Sequence, residues 1–165
     1  DIALNREQYT QELNEDLDLF LNLDVPHIST YSLIIEPNTR LQNEKPIDDE
    51  LDYKMYELIN DKLKNYHHYE VSNFAKKGYE SKHNLTYWNN NEYYGFGLGA
   101  SGYIDNVRYD NTRSFNKYLN DEYIKESHRL DINETIENEF ILGFRKIKGI
   151  EKQVFKNKYN NSLLL

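Results

Sequence analysis

The densest group of chemically capable side chains lies at residues 83–88, with the sequence His-Asn-Leu-Thr-Tyr-Trp. The imidazole of His83 could ligate iron or transfer a proton, and Trp88 is the only tryptophan of the chain. Two aromatic rings beside a histidine suit a flat hydrophobic ligand, because the rings stack on it while the imidazole coordinates its metal. The alternative is structural: a buried aromatic pair that anchors a loop.

A second group is rich in glycine. Residues 97–102, Gly-Leu-Gly-Ala-Ser-Gly, fit the G-x-G-x-x-G pattern of dinucleotide-binding loops. That function requires the loop to open a helix whose N-terminus receives the pyrophosphate, but the segment that follows here has an extended pattern. We therefore expect a glycine-rich strand over 93–100, with small residues where another backbone or a flat ligand approaches closely.

Five further side chains carry weaker signals. Glu70 stands in a predicted strand, and functional groups of α/β folds gather at the carboxyl ends of strands. His67 and His68 are adjacent, so on a strand they point to opposite faces and make a poor metal pair. Arg108 and Arg113 could bind carboxylates, although a surface salt bridge is the commoner role of arginine.

The elements that must position these groups alternate in type. Apolar residues at helical spacing predict helices over 6–23 and 48–65, and β-branched and aromatic runs predict strands over 27–35 and 69–74. Helices and strands in this order indicate an α/β fold with parallel strands. Two parallel strands are too few for a covered sheet, so we expect them to belong to a larger α/β protein or to pair with something else.

Beyond residue 75 the composition changes and residues 76–92 are polar and irregular. The later pattern predicts a hairpin over 103–110 that turns at Asp105 and Asn106. It also predicts three helices, at 114–119 with Ser114 as cap, at 133–147 with Asn133 as cap, and at 151–159.

Composition excludes several classes of protein. The 165 residues make about one domain, and the formal net charge of -8 argues against binding to nucleic acid. The chain has no Cys, so it cannot form a disulfide or supply thiolates to zinc or to an iron–sulfur cluster. No apolar run is long enough for a membrane span and no secretory signal is visible, which favours a cytoplasmic protein.

Four segments come in the order and at the spacing of a known family: residues 28–39, 69–75, 83–88 and 94–100. With these motifs the chain resembles the C-terminal part of the oxygen-independent coproporphyrinogen III oxidase-like radical S-adenosylmethionine (SAM) proteins. It is most similar to the HemW branch of heme chaperones, of which His-Asn-x-x-Tyr-Trp is the signature.

The resemblance implies the C-terminal portion of a partial (β/α)6 radical SAM barrel, followed by a small, mostly helical domain. Residues 1–112 would supply the last helices and strands of the barrel with a glycine-rich extension, and 113–165 the start of the helical domain. The C-x-x-x-C-x-x-C loop, which binds a 4Fe–4S cluster and SAM in this family, is absent from this chain. We therefore expect a fragment that is not itself catalytic, with further residues missing near positions 4–6.

The resemblance also implies site residues. The candidates for binding heme are His83, as a ligand of the iron, and Asn84, Tyr87 and Trp88. The candidates adjacent to SAM are Ile34, Gly99, Ala100 and Ser101.

Three functions stay open from the sequence. The longer parent protein would bind heme and transfer it to an acceptor protein, with SAM and the 4Fe–4S cluster held in the missing part. Alternatively, it would be an oxygen-independent coproporphyrinogen III oxidase that decarboxylates its substrate in heme biosynthesis. The third is a catalytically inert α/β interaction module.

The expected partners follow from these functions: heme or another porphyrin and an acceptor protein, with no nucleic acid. Peripheral membrane association is left open for the parent only. Sheet edges exposed in a fragment predict either dimerisation or a compact remnant.

Overall fold

A computed structural model describes residues 2–4, 9–43 and 48–159. The fold is mixed α/β, and the chain divides into two compact units, Asp1–Glu80 and Ser81–Leu165. The boundary between the two units thus follows residue 80. The domain boundary after residue 112, which the family resemblance implies, stays a prediction. The residues expected to be missing near positions 4–6 and the start of the first helix at residue 6 lie largely outside the described residues.

The first unit contains four strands and two helices among its described residues. In chain order they are β1 (Ile2–Leu4), α1 (Tyr9–Asn22), β2 (His27–Ser32), α2 (Asp49–Lys62), β3 (His67–Glu70) and β4 (Asn73–Ala75). The two predicted helices and the first predicted strand are confirmed, with shorter ends. Asp48 starts α2, since its side chain accepts a hydrogen bond from the Leu51 N–H at 3.0 Å.

The second predicted strand is wrong, because residues 69–74 reverse direction. β3 and β4 are antiparallel neighbours, and the sheet order is β1-β2-β4-β3. β1 pairs with β2 in parallel. β4 pairs with β2 in the antiparallel direction and lies between β2 and β3. The reversal is stabilised by Glu70, whose buried carboxylate accepts hydrogen bonds from the Ser72 N–H and the Asn73 amide. Glu70 therefore supports a turn instead of presenting an acid at a strand end.

The core of this unit lies between the two helices and the sheet. Its buried members are Leu13, Leu17, Ile28, Met55, Ile59, Leu63 and Phe74. On β3 the adjacent histidines separate as predicted: the His68 ring stacks on Phe74 with centroids 4.1 Å apart, and exposed His67 pairs with Glu80 at 2.8 Å. Hydrophobic burial by two helix stripes and one sheet face thus holds the unit together.

The second unit is built around a three-stranded antiparallel sheet of order β5-β6-β7. Its elements are α3 (Lys82–Trp88), β5 (Ser101–Ile104), β6 (Val107–Asn111), α4 (Phe115–Leu119), β7 (Ile124–Arg129), α5 (Ile132–Gly143) and α6 (Lys152–Tyr159). The predicted hairpin is confirmed, and Asp105 and Asn106 both have positive φ, 51° and 59°, as a type I′ turn requires. The sequence did not predict β7, because its side chains are all exposed and show no apolar alternation.

The three later helices are confirmed, with one change of cap. Ser114 caps α4 as predicted. Asp131, and not Asn133, caps α5: its side chain accepts from the Asn133 and Glu134 N–H groups while Glu134 binds back to the Asp131 N–H. This capping box satisfies free N–H donors at the start of α5. The helix cap therefore lies two residues before the predicted one.

Candidate functional site

The His-Asn-x-x-Tyr-Trp motif lies on a helix, so the irregular segment predicted over 76–92 is wrong in its centre. Ser81 caps α3 by accepting a hydrogen bond from the Asn84 N–H at 3.2 Å. The Thr86 hydroxyl donates to the Lys82 carbonyl oxygen at 2.9 Å. With seven residues, α3 is too short to show an apolar periodicity, which is why the sequence pattern missed it.

His83 and Tyr87 form one side of the motif. They are one helical turn apart, with ring centroids 4.6 Å apart and an edge-to-face angle of 77°. The Tyr87 ring in turn packs edge-to-face against Tyr93, with ring centroids 4.5 Å apart and an interplanar angle of 83°. His83 is exposed, while the two tyrosines are partly buried and burial raises the pKa of Tyr93. The arrangement presents a solvent-accessible imidazole in edge-to-face contact with Tyr87, which Tyr93 in turn supports.

Trp88 has a different environment. The guanidinium carbon of Arg145 lies 4.4 Å from the centroid of the indole ring, which is a cation–π contact. The indole N–H is buried and has no hydrogen-bond partner among the described residues. Asn84 precedes Trp88 by one turn and is partly buried. Trp88 thus packs against Arg145, while its part in binding heme stays a prediction, and His83 on the same motif is exposed.

A polar cluster around the buried Glu139 and Asn90 lies at the C-terminal end of α3. The Lys158 ammonium donates to the carbonyl oxygens of Asn89 and Asn90 at 2.8 and 2.9 Å, and to Oε2 of Glu139 at 2.7 Å. The Asn90 amide donates to the Thr135 carbonyl oxygen at 3.2 Å. Sequence reasoning did not single out these residues, since nothing in their local pattern shows that α5 and α6 meet the end of α3.

The glycine-rich segment before β5 is an irregular loop, so the strand predicted over 93–100 is wrong; only Tyr93 forms an isolated bridge, to Tyr103. The Asn111 amide donates to the carbonyl oxygens of Gly95 and Gly97 at 3.1 and 2.8 Å. Gly97 also has a φ of 92°, a conformation that side chains rarely adopt. The carbonyl groups of Gly95 and Gly97 thus bind a side chain instead of the backbone of a neighbouring strand.

Three of the predicted SAM-adjacent residues are consecutive at the end of this loop. Gly99, with a φ of 68°, donates its N–H to the Thr112 carbonyl oxygen at 3.0 Å. Ala100 follows, and Ser101 begins β5 with its hydroxyl donating to Asp110. Because a strand and not a helix follows the loop, the G-x-G-x-x-G pattern here does not form a dinucleotide-binding turn.

Ile34, the remaining SAM-adjacent candidate, lies in the first unit. It comes two residues after the end of β2 at Ser32, and its side chain is 75 % exposed. The structure thus places this candidate in Asp1–Glu80 and the other three in Ser81–Leu165.

Two kinds of feature are absent among the described residues. In that part of the chain, no group of three or more His, Cys, Asp or Glu side chains is placed to hold a metal ion. No helix within the same residues has the length and apolar character needed to cross a membrane.

Comparison with a solved structure places the fold in a class. The chain superposes on coproporphyrinogen III oxidase (HemN) from Escherichia coli, described as a radical SAM enzyme, with a TM-score of 0.68. The match covers 92 % of this chain and 40 % of that one, at 10 % sequence identity. At this identity the likeness concerns the fold, which is therefore one that occurs in a radical SAM enzyme.

Sequence comparison identifies the relatives. The chain is 40 % identical to the heme chaperone HemW of Bacillus subtilis, over 94 % of this chain and 45 % of the relative. It is 43 % identical to the heme chaperone HemW of Lactococcus lactis, over 94 % and 44 %, and 30 % identical to that of Escherichia coli, over 90 % and 42 %. No protein-family model matches the chain. The chain is a relative of the HemW heme chaperones, as its motifs predicted, and spans a little under half of their length.

Proposed function

We propose that this chain is the heme-binding, C-terminal part of a heme chaperone and that His83 is its iron ligand. The observation that supports this most is the exposed imidazole of His83 on a capped helix, held edge-on by Tyr87 and reinforced by Tyr93. The names of the relatives, heme chaperones, agree with a heme ligand in the motif.

The chemistry of the site suits a planar, apolar ligand that carries a metal. A neutral imidazole donates one nitrogen lone pair to iron, and its orientation decides where the plane of the ligand lies. The edge of Tyr87 restricts that orientation, and its partly buried ring offers apolar surface beside the metal. Asn84 adds an amide next to the ligand, while Trp88 keeps the helix in place through Arg145.

In this proposal the parent protein transfers heme to an acceptor protein, and SAM and the 4Fe–4S cluster belong to the full-length parent. Thiolates for the cluster cannot come from this chain, because it has no Cys. Residues 1–112 would complete a partial (β/α)6 barrel, with Ile34, Gly99, Ala100 and Ser101 next to SAM, and 113–165 would begin a helical domain. The likeness to HemN supports the mixed α/β fold of this proposal.

A hemin titration tests the assignment of His83. Wild-type chain should give the Soret band of coordinated hemin, and His83→Ala should weaken binding by more than about tenfold, or about 1.4 kcal/mol. His67→Ala is the matched control, since His67 is also exposed but lies on β3 and pairs with Glu80. Equal Soret spectra and affinities for wild type and His83→Ala would refute the proposal.

The oxidase alternative makes a separate prediction for the full-length protein. HemN has the same kind of fold, so the fold by itself favours neither activity. An anaerobic assay of the reconstituted full-length protein with coproporphyrinogen III decides between them, because only an oxidase forms protoporphyrinogen.

A further inference from the structure

We propose that Glu139 is a positioning residue for the motif, because its buried carboxylate fixes the end of α3 through Lys158. Glu139 lies on α5, and its carboxylate is hydrogen-bonded to Lys158 and Tyr159 of α6, not to the motif itself. This inference rests on the proposed function, since what Glu139 positions is the helix that presents the heme ligand.

The carboxylate of Glu139 is deeply buried and fully engaged on one oxygen. The residue is 3 % exposed, and its Oε2 accepts hydrogen bonds from the Lys158 ammonium and from the Tyr159 hydroxyl, each at 2.7 Å. A buried carboxylate without a cation would be strongly unfavourable, so Glu139 and Lys158 hold each other in place. Burial and the hydrogen bond to Glu139 raise the pKa of Tyr159, so its hydroxyl stays a donor.

Lys158 carries this constraint to α3. An ammonium group has three donors, and the three acceptors around Lys158 are Glu139 Oε2 and the carbonyl oxygens of Asn89 and Asn90. Asn89 is the C-cap of α3, and the carbonyl groups at a helix end lack partners within the helix. The Lys158 ammonium, which Glu139 holds, supplies hydrogen-bond donors for the carbonyl groups of Asn89 and Asn90.

Two further bonds tie the same turn to the rest of the unit. The buried Lys146 ammonium donates to the Asn89 side-chain oxygen at 2.6 Å. Asn90, with a φ of 47°, is in the left-handed conformation that ends helices, and its amide is bound to the Thr135 carbonyl oxygen. The turn after Trp88 is thus bound by the side chains of Lys158 on α6 and Lys146 in the loop before it, and by the backbone of α5 at Thr135. Glu139 acts on this turn indirectly, through Lys158.

Replacing Glu139 by glutamine separates positioning from packing. Glu139→Gln keeps the volume and an acceptor for Tyr159, but it removes the charge that draws Lys158 inward. Lys158 is 30 % exposed in its side chain, so without the carboxylate its ammonium can turn to water and release the two carbonyl groups. The end of α3 is then freed without a cavity in the core.

Trp88 supplies a readout that does not depend on heme, because it is the only tryptophan and ends α3. In the chain without ligand, Glu139→Gln should shift Trp88 emission to the red, since the buried N–H of its partly buried indole becomes hydrated. Hemin affinity should fall by about tenfold, the order expected for a residue that orients a ligand. Glu137→Gln, an exposed position on the same helix, is the matched control and should change neither.

Two more variants keep the test decisive. Glu139→Gln combined with Lys158→Met removes the same link without leaving a buried charge unpaired, and should give the same red shift if Glu139→Gln alone fails to fold. Glu139→Asp retains the charge and should recover part of the hemin affinity. Folded variants with wild-type emission and wild-type hemin affinity would overturn the inference. If His83→Ala leaves hemin binding unchanged, the proposed function fails, while the Trp88 emission still decides whether Glu139 positions α3.

Discussion

Replacing Gly102 by alanine tests how the glycine segment is held against the sheet. An added Cβ at this buried position on β5 would lie well under 3.0 Å from the Cζ and hydroxyl oxygen of Tyr109. The tyrosine ring cannot move aside freely, because its hydroxyl accepts a hydrogen bond from the Gly95 N–H at 2.9 Å. The substitution therefore forces a steric overlap with the ring and, as the ring shifts, the loss of that bond.

The magnitude follows from three effects on the free energy of unfolding. Overpacking costs roughly 1–3 kcal/mol, and the lost hydrogen bond costs about 0.5–1.5 kcal/mol. Alanine gains about 0.5–1 kcal/mol over glycine within a strand, because it has less backbone entropy to lose. The net expectation for Gly102→Ala is a destabilisation of roughly 0.5–4 kcal/mol, with the steric effect dominant.

Urea unfolding followed by circular dichroism measures this change as a lower midpoint at an unchanged slope. A double-mutant cycle with Tyr109→Ala isolates the cause, because removing the ring opens the space for the new methyl group. In that background Gly102→Ala should be neutral or stabilising by up to about 1 kcal/mol. If Gly102→Ala stabilises the wild-type chain, the packing of Tyr109 described here is wrong.

Two further predictions concern the first unit. Phe74→Ala should lower the free energy of unfolding by about 3–5 kcal/mol, because Phe74 is buried at the sheet centre with His68 stacked on it. Thermal unfolding measures this loss, with half-exposed Val71→Ala as the control, and a loss below about 1 kcal/mol would contradict the burial. Burial lowers the pKa of His27 below its ordinary value, against a smaller opposite effect of Glu70. The folded state thus favours the neutral form of His27. This preference contributes to the free energy of unfolding above about pH 6.5, the ordinary pKa of histidine, and the contribution is lost as the pH falls through the lower pKa that His27 has in the folded state. His27→Gln should flatten the decline in the urea midpoint between about pH 7.5 and pH 5, and an unchanged decline would exclude His27 as its cause.

Local interactions explain which elements the sequence predicted well. The turn at Asp105 and Asn106 forms because both residues tolerate positive φ, and the cap at Asp48 binds a donor three residues away. The two long helices of the first unit follow from the spacing of their own apolar residues. The His-Asn-x-x-Tyr-Trp motif was also visible from residue types alone, and with it the kinship to the HemW proteins.

Tertiary structure decided the rest, because the interactions concerned join residues far apart in the chain. The insertion of β4 between β2 and β3 depends on pairing across more than 40 residues, which no local pattern specifies. Lys158 reaches the end of α3 from 69 residues away in the chain, so the helix carries no sign of it. The sequence by itself determined that His83 and Trp88 could bind a flat ligand. The fold decided that Trp88 lies against Arg145 while His83 remains exposed, since burial and charge contacts arise only once the elements pack.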